Sequence, residues 1–410
     1  MNDLIVQYKE ILVYLAIPVT SALVGWLTNI VAIKMTFYPI KFVGIKPFLG
    51  WQGIIPSKAA KMSSISVDLW TSKLINVEDL FSQIEPEKVA YEMRPEFDRI
   101  AKEIMDEIME EEAPEVWARV PNRVKDLIYN RISKDMPEIV RDIMKEIQDN
   151  IEDMFDIKDM VIQRLTSDRG LLNDIFLNCG NAEFKFIERS GLTFGFVFGI
   201  IQMVVWIFFK EFWILPLFGL LVGYATNWLA LKLIFQPIEP ISILGVKYQG
   251  LFIKRQNAVS AEYAQMLAHD IFTFERIFAS IISGPTKNRF MDMIVDHSNK
   301  AIDEAAGVSK PVINILAGKK NYDRIKNIAI EKVVKELPKS IQPVLSYADT
   351  AMDLENIFKD KMQELPPEEF VGFLRPVFQE DELKLILVGA LLGMAAGIGQ
   401  LFILFGNHNL

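Results

Sequence analysis

The apolar positions of this chain are gathered into four blocks: residues 11–33, 191–209, 212–231 and 385–405 run with almost no charge. Each block is about 19–23 residues long, enough for a helix to cross a hydrocarbon core of roughly 30 Å. A buried helix of a water-soluble domain is usually shorter and keeps a polar face, so the blocks predict four membrane spans. Between them the pattern changes to a helical period. Ile100, Ile104 and Ile108, then Ile139, Ile143, Ile147 and Ile151, fall on one face, with Glu, Lys, Asp and Arg on the others. Pro95, Pro114, Pro121 and Pro137 are expected to divide this stretch into short helices. Strand alternation and hairpin signals are missing, so strands are not expected.

The blocks are related to one another. Residues 17–40 read IPVTSALVGWLTNIVAIKMTFYPI and residues 215–238 read LPLFGLLVGYATNWLALKLIFQPI, with eleven identities at an offset of 198. Gly191, Gly195, Gly199 and Gln202 return at the same offset as Gly389, Gly393, Gly397 and Gln400. The expected fold is therefore an all-α membrane protein, with four transmembrane helices from a tandem parallel repeat and two helical cytoplasmic bodies. Its segments are expected at 11–37 (first span), 38–186 (first body), 187–209 (second span), 212–235 (third span), 236–383 (second body) and 384–405 (fourth span).

Orientation follows from charge. Lys210 and Glu211 alone separate the second and third spans, so both long connections lie on one side of the membrane. That side carries Lys34, Lys41, Lys46, Lys185, Arg189, Lys232, Lys247, Arg375 and Lys384 beside the spans, against Lys9 and Lys210 on the other. The positive-inside rule then makes the bodies cytoplasmic and the termini external. The first block is expected to stay as a span, since residues 1–10 are mixed in charge and the run is long for a signal peptide.

Within the spans, Gly25, Thr28, Asn29 and Ala32 share one helix face, as do Gly223, Thr226, Asn227 and Ala230. Stripes of small residues let helices approach closely, and Thr and Asn can hydrogen-bond across the contact. The matching stripes are Gly191, Gly195, Gly199 with Gln202, and Gly389, Gly393, Gly397 with Gln400. Packing is the first reading. The other is a polar path lined by Thr28, Asn29, Thr226 and Asn227, although no ionisable residue lies mid-span.

After each odd-numbered span a proline (Pro39, Pro237) leads into a segment rich in glycine and aromatics, Gly44–Gly53 and Leu244–Gly250, closed by Gln52-Gly53 and Gln249-Gly250. An interfacial turn and a re-entrant element both fit it. Lys34, Lys58, Lys61, Lys232, Lys254 and Arg255 lie where lipid headgroups would be, and are candidate headgroup ligands. A six-residue pattern starting at Asn76, Asp156, Thr273 and Asp353 reads as four capped helix starts whose first turn docks on a neighbour, rather than as a ligand motif.

The net charge of −9 argues against nucleic acid. The single Cys179 allows no intramolecular disulfide and completes no thiolate metal site. Catalytic and nucleotide-binding motifs are not found, His269, His297 and His408 are isolated, and no cofactor is expected.

On the two copies, the QG turns and the closing LRPVFQEDELKLILVGALLGMAAGIGQ, the chain resembles the bacterial DUF445 family, which takes in the UPF0754 or YheB-like membrane proteins. The resemblance implies a multi-pass inner-membrane protein with cytoplasmic helices, and supplies no activity or catalytic residue. The functional expectation is a non-enzymatic protein that handles lipid or another hydrophobic molecule or acts as a membrane scaffold, with membrane lipid, and protein partners or further copies of itself, as its contacts. A channel or carrier along the repeat interface is the alternative.

Overall fold

The computed structural model describes residues 2–45, 49–112, 114–243, 245–306, 319–379 and 382–405; Lys46, Leu244, His408 and two residues of the closing motif, Glu380 and Asp381, lie outside them. Among the described residues helix predominates, and strands are confined to two antiparallel hairpins. Four helices are long and apolar enough to cross a membrane: Tyr14–Phe37, Asn181–Phe208, Ile214–Phe235 and Glu382–Phe402. The chain divides into two units.

The first unit comprises residues 1–69, 164–266 and 358–410 and holds all four apolar helices. The first packs antiparallel on the second, and the third on the fourth. Their surface is inverted relative to a water-soluble bundle. Leu15, Leu27 and Phe402 are 56%, 56% and 69% exposed, whereas Asn29, Gln202 and Thr226 are at most 1% exposed. Apolar groups outside and polar groups inside suit a hydrocarbon solvent, where each polar group must find its partner within the protein.

Each odd-numbered helix is followed by a three-residue-stranded hairpin, which the period-based reading did not anticipate. Val43–Ile45 pairs with Leu49–Trp51, and Ile241–Ile243 with Val246–Tyr248. Strands this short show no alternation to read, and Gly44 (φ +130°) and Gly245 (φ +82°) adopt backbone conformations closed to most side chains. The QG pairs tie each hairpin back to its helix. Gln52 donates to the Ile40 carbonyl at 2.8 Å and Gln249 to that of Ile238 at 2.9 Å.

The second unit, residues 70–163 and 267–357, is a helical body around Trp70, Phe81, Phe272, Phe274 and Phe290. Pro114 begins a helix, Pro121 precedes one, and Pro95 sits in the first turn of Arg94–Glu112. Pro137 does not end its helix: Asn122–Met154 runs through it and departs from helical geometry at Asn150 instead. Packing against Pro86–Glu92, Arg94–Glu112 and Lys287–Ala306 holds this helix together despite the missing amide donor.

The six-residue pattern caps two helices as expected. Asn76 accepts from the amides of Glu78 and Asp79, and Asp156 from that of Asp159. At Thr273 no side-chain cap forms; the Phe274 amide is taken by Asp349 at 2.6 Å. Asp353 is left-handed (φ 43°) and follows the preceding helix as its C-terminal cap.

Candidate functional site

Two places in the first unit concentrate polar groups in apolar surroundings: the seams between paired apolar helices, and a cleft at one end of the third.

In the first seam, Gly25 faces Gly191 and Gly195, Gly195 faces Ser21 and Ala22, and Gly199 faces Pro18. A methyl group on any of these glycines would meet backbone, so the stripe sets the helix separation. Ala32, next on the stripe, is buried. Asn29 donates from Nδ2 to the Ile187 carbonyl at 2.6 Å, and Ser21 donates to Gln202 Oε1 at 2.7 Å. The second seam matches at the 198-residue offset. Gly223 faces Gly389, Gly219 faces Gly393, and Gly397 meets the Leu215 and Pro216 backbone, with Ala230 buried. Asn227 Nδ2 donates to Leu385 at 3.0 Å.

Two features were not legible in the stripes. Thr28 and Thr226 do not bond across the seam; their hydroxyls return to carbonyls of their own helices, Gly25 at 3.1 Å and Val222 at 2.8 Å. Gln400 also departs from its counterpart. Ser21, the partner of Gln202, is replaced by Gly219 in the second seam, which offers no hydroxyl. Gln400 reaches instead to Thr20 of the first helix at 2.7 Å, joining the two pairs.

Asn29 Oδ1, Asn227 Oδ1 and Gln202 Nε2 make no hydrogen bond within the protein. Beside Asn227 lies a cavity of about 30 Å³ walled mainly by Ala32, Ile33, Phe37, Phe184 and Leu231. That is room for one or two waters.

The larger opening, about 200 Å³, lies where the third apolar helix ends. Lys232, Arg375 and Glu382 bring two cations and a carboxylate to it, and Trp228, Leu231 and Phe235 give it an apolar wall. The Lys232 ammonium stands 4.8 Å from the centroid of the Trp228 ring. Among the described residues none of the three charged groups has an ion-pair partner. Leu221, Tyr224 and Trp228, all exposed, lead from the cleft along one face of the helix. The local sequence marks Arg375 only as a charge beside the fourth apolar block; nothing in it makes Arg375 a neighbour of Lys232.

The other candidate cations are distributed differently. Lys34, Lys61 and Lys254 are exposed and Lys58 is half-buried. Arg255 is committed to Glu183, whose carboxylate oxygens it meets at 2.9 Å each while Glu183 is only 1% exposed. Its guanidinium therefore holds a buried charge and is not free for a headgroup. Burial pushes the Cys179 thiol up to about 12, with Glu262 adding to the shift. Among the described residues no cluster of three or more His, Cys, Asp or Glu is placed to hold a metal ion.

No family model matches the chain. It is 26% identical over 111 residues to a UPF0754 membrane protein of Bacillus pumilus (strain SAFR-032), a match covering 26% of this chain and 28% of that protein. The chain thus spans little more than a quarter of the relative's length. No solved structure matches. The similarity and the four apolar helices together point to a membrane protein.

Proposed function

We propose that this is a non-enzymatic, multi-pass inner-membrane protein that binds membrane phospholipid through the cleft of Lys232, Arg375 and Glu382. The cleft carries the reading: paired cations and an aromatic open at the end of an apolar helix, where a phosphate headgroup would lie. Its volume is below the roughly 300 Å³ of pockets that enclose whole small molecules, which suits a headgroup with its chains outside. The proposed architecture is a tandem parallel repeat of the DUF445 type, with termini outside and helical bodies in the cytoplasm. The 198-residue offset of matching seams and the charge asymmetry of the connections support it.

The test is to purify the full chain gently and identify the lipids that stay bound. Stoichiometric phospholipid, lost from the Lys232→Ala/Arg375→Ala double variant, is the expected result. Lipid retained equally by both proteins would overturn the assignment.

A carrier is the second reading, favoured by the unpaired atoms of Asn29, Asn227 and Gln202 and the small cavity between the helix pairs. It requires solute flux in liposomes that disappears in the Asn29→Leu/Asn227→Leu variant. A closed seam with amides bonded to helix carbonyls favours no flux.

A further inference from the structure

The two seams use matching positions but end differently. In the first, Phe184 closes the end on Phe37, in an edge-on pair with ring centroids 5.2 Å apart and both side chains buried. The residue 198 positions after Phe184 is Glu382, and the one 198 positions after Phe37 is Phe235. Phe235 therefore shares its cleft with a carboxylate, and its ring stacks on Phe252 at 5.4 Å instead. Likewise Trp228 stands at the position that Ile30 has in the first half of the chain, and Arg375 at that of Leu177. Three apolar positions of one half are thus Trp, Arg and Glu in the other, and all three line one opening with Lys232. Packing does not call for this exchange, since an acid and a guanidinium forgo the apolar burial that Leu and Phe supply.

We propose that the cleft selects a phospholipid whose headgroup carries both a phosphate and a primary ammonium. This rests on the lipid-binding reading above and names its ligand class. Lys232 and Arg375 meet the phosphate, Arg375 with a planar fork of donors suited to paired phosphate oxygens. Glu382 accepts from the ammonium. A choline headgroup has no N–H to donate, and the Trp228 face that would attract it already carries the Lys232 ammonium. A glycerol headgroup supplies the phosphate but no ammonium from which Glu382 can accept. The acyl chains follow the exposed line of Trp228, Tyr224 and Leu221 away from the cleft.

The experiment uses the full chain in mixed micelles containing equal amounts of phosphatidylethanolamine, phosphatidylcholine and phosphatidylglycerol, with bound lipid read by native mass spectrometry. The expected result is about tenfold enrichment of phosphatidylethanolamine over the other two, equivalent to about 1.4 kcal/mol. Glu382→Gln should remove the preference while lipid stays bound, and Glu382→Asp should keep it, which separates charge from any folding effect. An excess of soluble glycerophosphoethanolamine should leave the bound lipid in place; displacement at equal concentration would make a free phosphoester the ligand and overturn the assignment to lipid. Equal retention of the three lipids by the wild type, with loss of all of them in Lys232→Ala/Arg375→Ala, would sink the selectivity and leave lipid binding standing. Retention that ignores Lys232 and Arg375 would sink both.

Discussion

Asn29 donates from Nδ2 to the main-chain carbonyl of Ile187 at 2.6 Å, across the close approach of the first and second apolar helices. The bond joins an amide to a carbonyl that already serves its own helix, and the asparagine's Oδ1 is left unpaired. Polar contacts of this kind between membrane helices contribute about 0.6 kcal/mol on average. Asn29→Leu should therefore cost about that much. Gly191→Leu should cost about 1–3 kcal/mol, because its side chain would strike the Gly25 backbone. Equilibrium unfolding in mixed micelles ranks the two; a larger loss for Asn29→Leu would place the seam's stability in the amide rather than in the glycine contact.

Arg255 and Glu183 present the opposite balance. Glu183 is buried and its only described partner is Arg255, so removing the guanidinium strands a charge. Arg255→Met should destabilise by about 3 kcal/mol, the low end for a broken buried pair, because Arg255 itself is a third exposed. Arg255→Met/Glu183→Leu should regain most of the loss in a thermal melt. A double variant as unstable as the single one would show that the pair is not the reason.

Cys179 is 1% exposed and its thiol is raised from an ordinary 9.0 to about 12, chiefly by burial. Maleimide at pH 7 should therefore leave the folded protein unlabelled and modify it once denatured. The raised value also sets a pH window. The neutral thiol is favoured in the folded state, so its contribution is complete below about pH 9 and is lost as pH rises toward 12. Cys179→Ser should flatten that part of the alkaline stability profile.

The silent native thiol makes topology readable with single added cysteines. Lys210→Cys lies in the short connection between the second and third apolar helices, and Leu127→Cys is on an exposed face of the second unit. In intact cells an impermeant maleimide should label the first and reach the second only after permeabilisation. The reverse pattern would invert the proposed orientation.

The spans were legible because 19–23 uncharged residues leave few alternatives, and the seams because glycines four apart can only line one face. Gln400 was legible as a seam residue but its partner was not: the replacement of Ser21 by Gly219 sends it to the other helix pair. The hairpins after Pro39 and Pro237 are too short to leave a period. Pro137 misled because a proline cost of about 3 kcal/mol can be outweighed by packing along the helix that runs from Asn122 to the kink at Asn150. The cleft was half legible. Lys232 is marked by its place at the end of an apolar block, whereas Arg375 and Glu382 reach it by tertiary folding, and the same folding removes Arg255 from the headgroup set.

The most direct test is to load the reconstituted full chain with a phosphatidylethanolamine carrying a photoactivatable group high on its acyl chain, illuminate, and map the adducts by peptide mass spectrometry. The account predicts adducts concentrated on peptides containing Leu221, Tyr224 and Trp228, and greatly reduced in Lys232→Ala/Arg375→Ala. Adducts spread evenly over the exposed faces of all four apolar helices, unchanged by those substitutions, would contradict it.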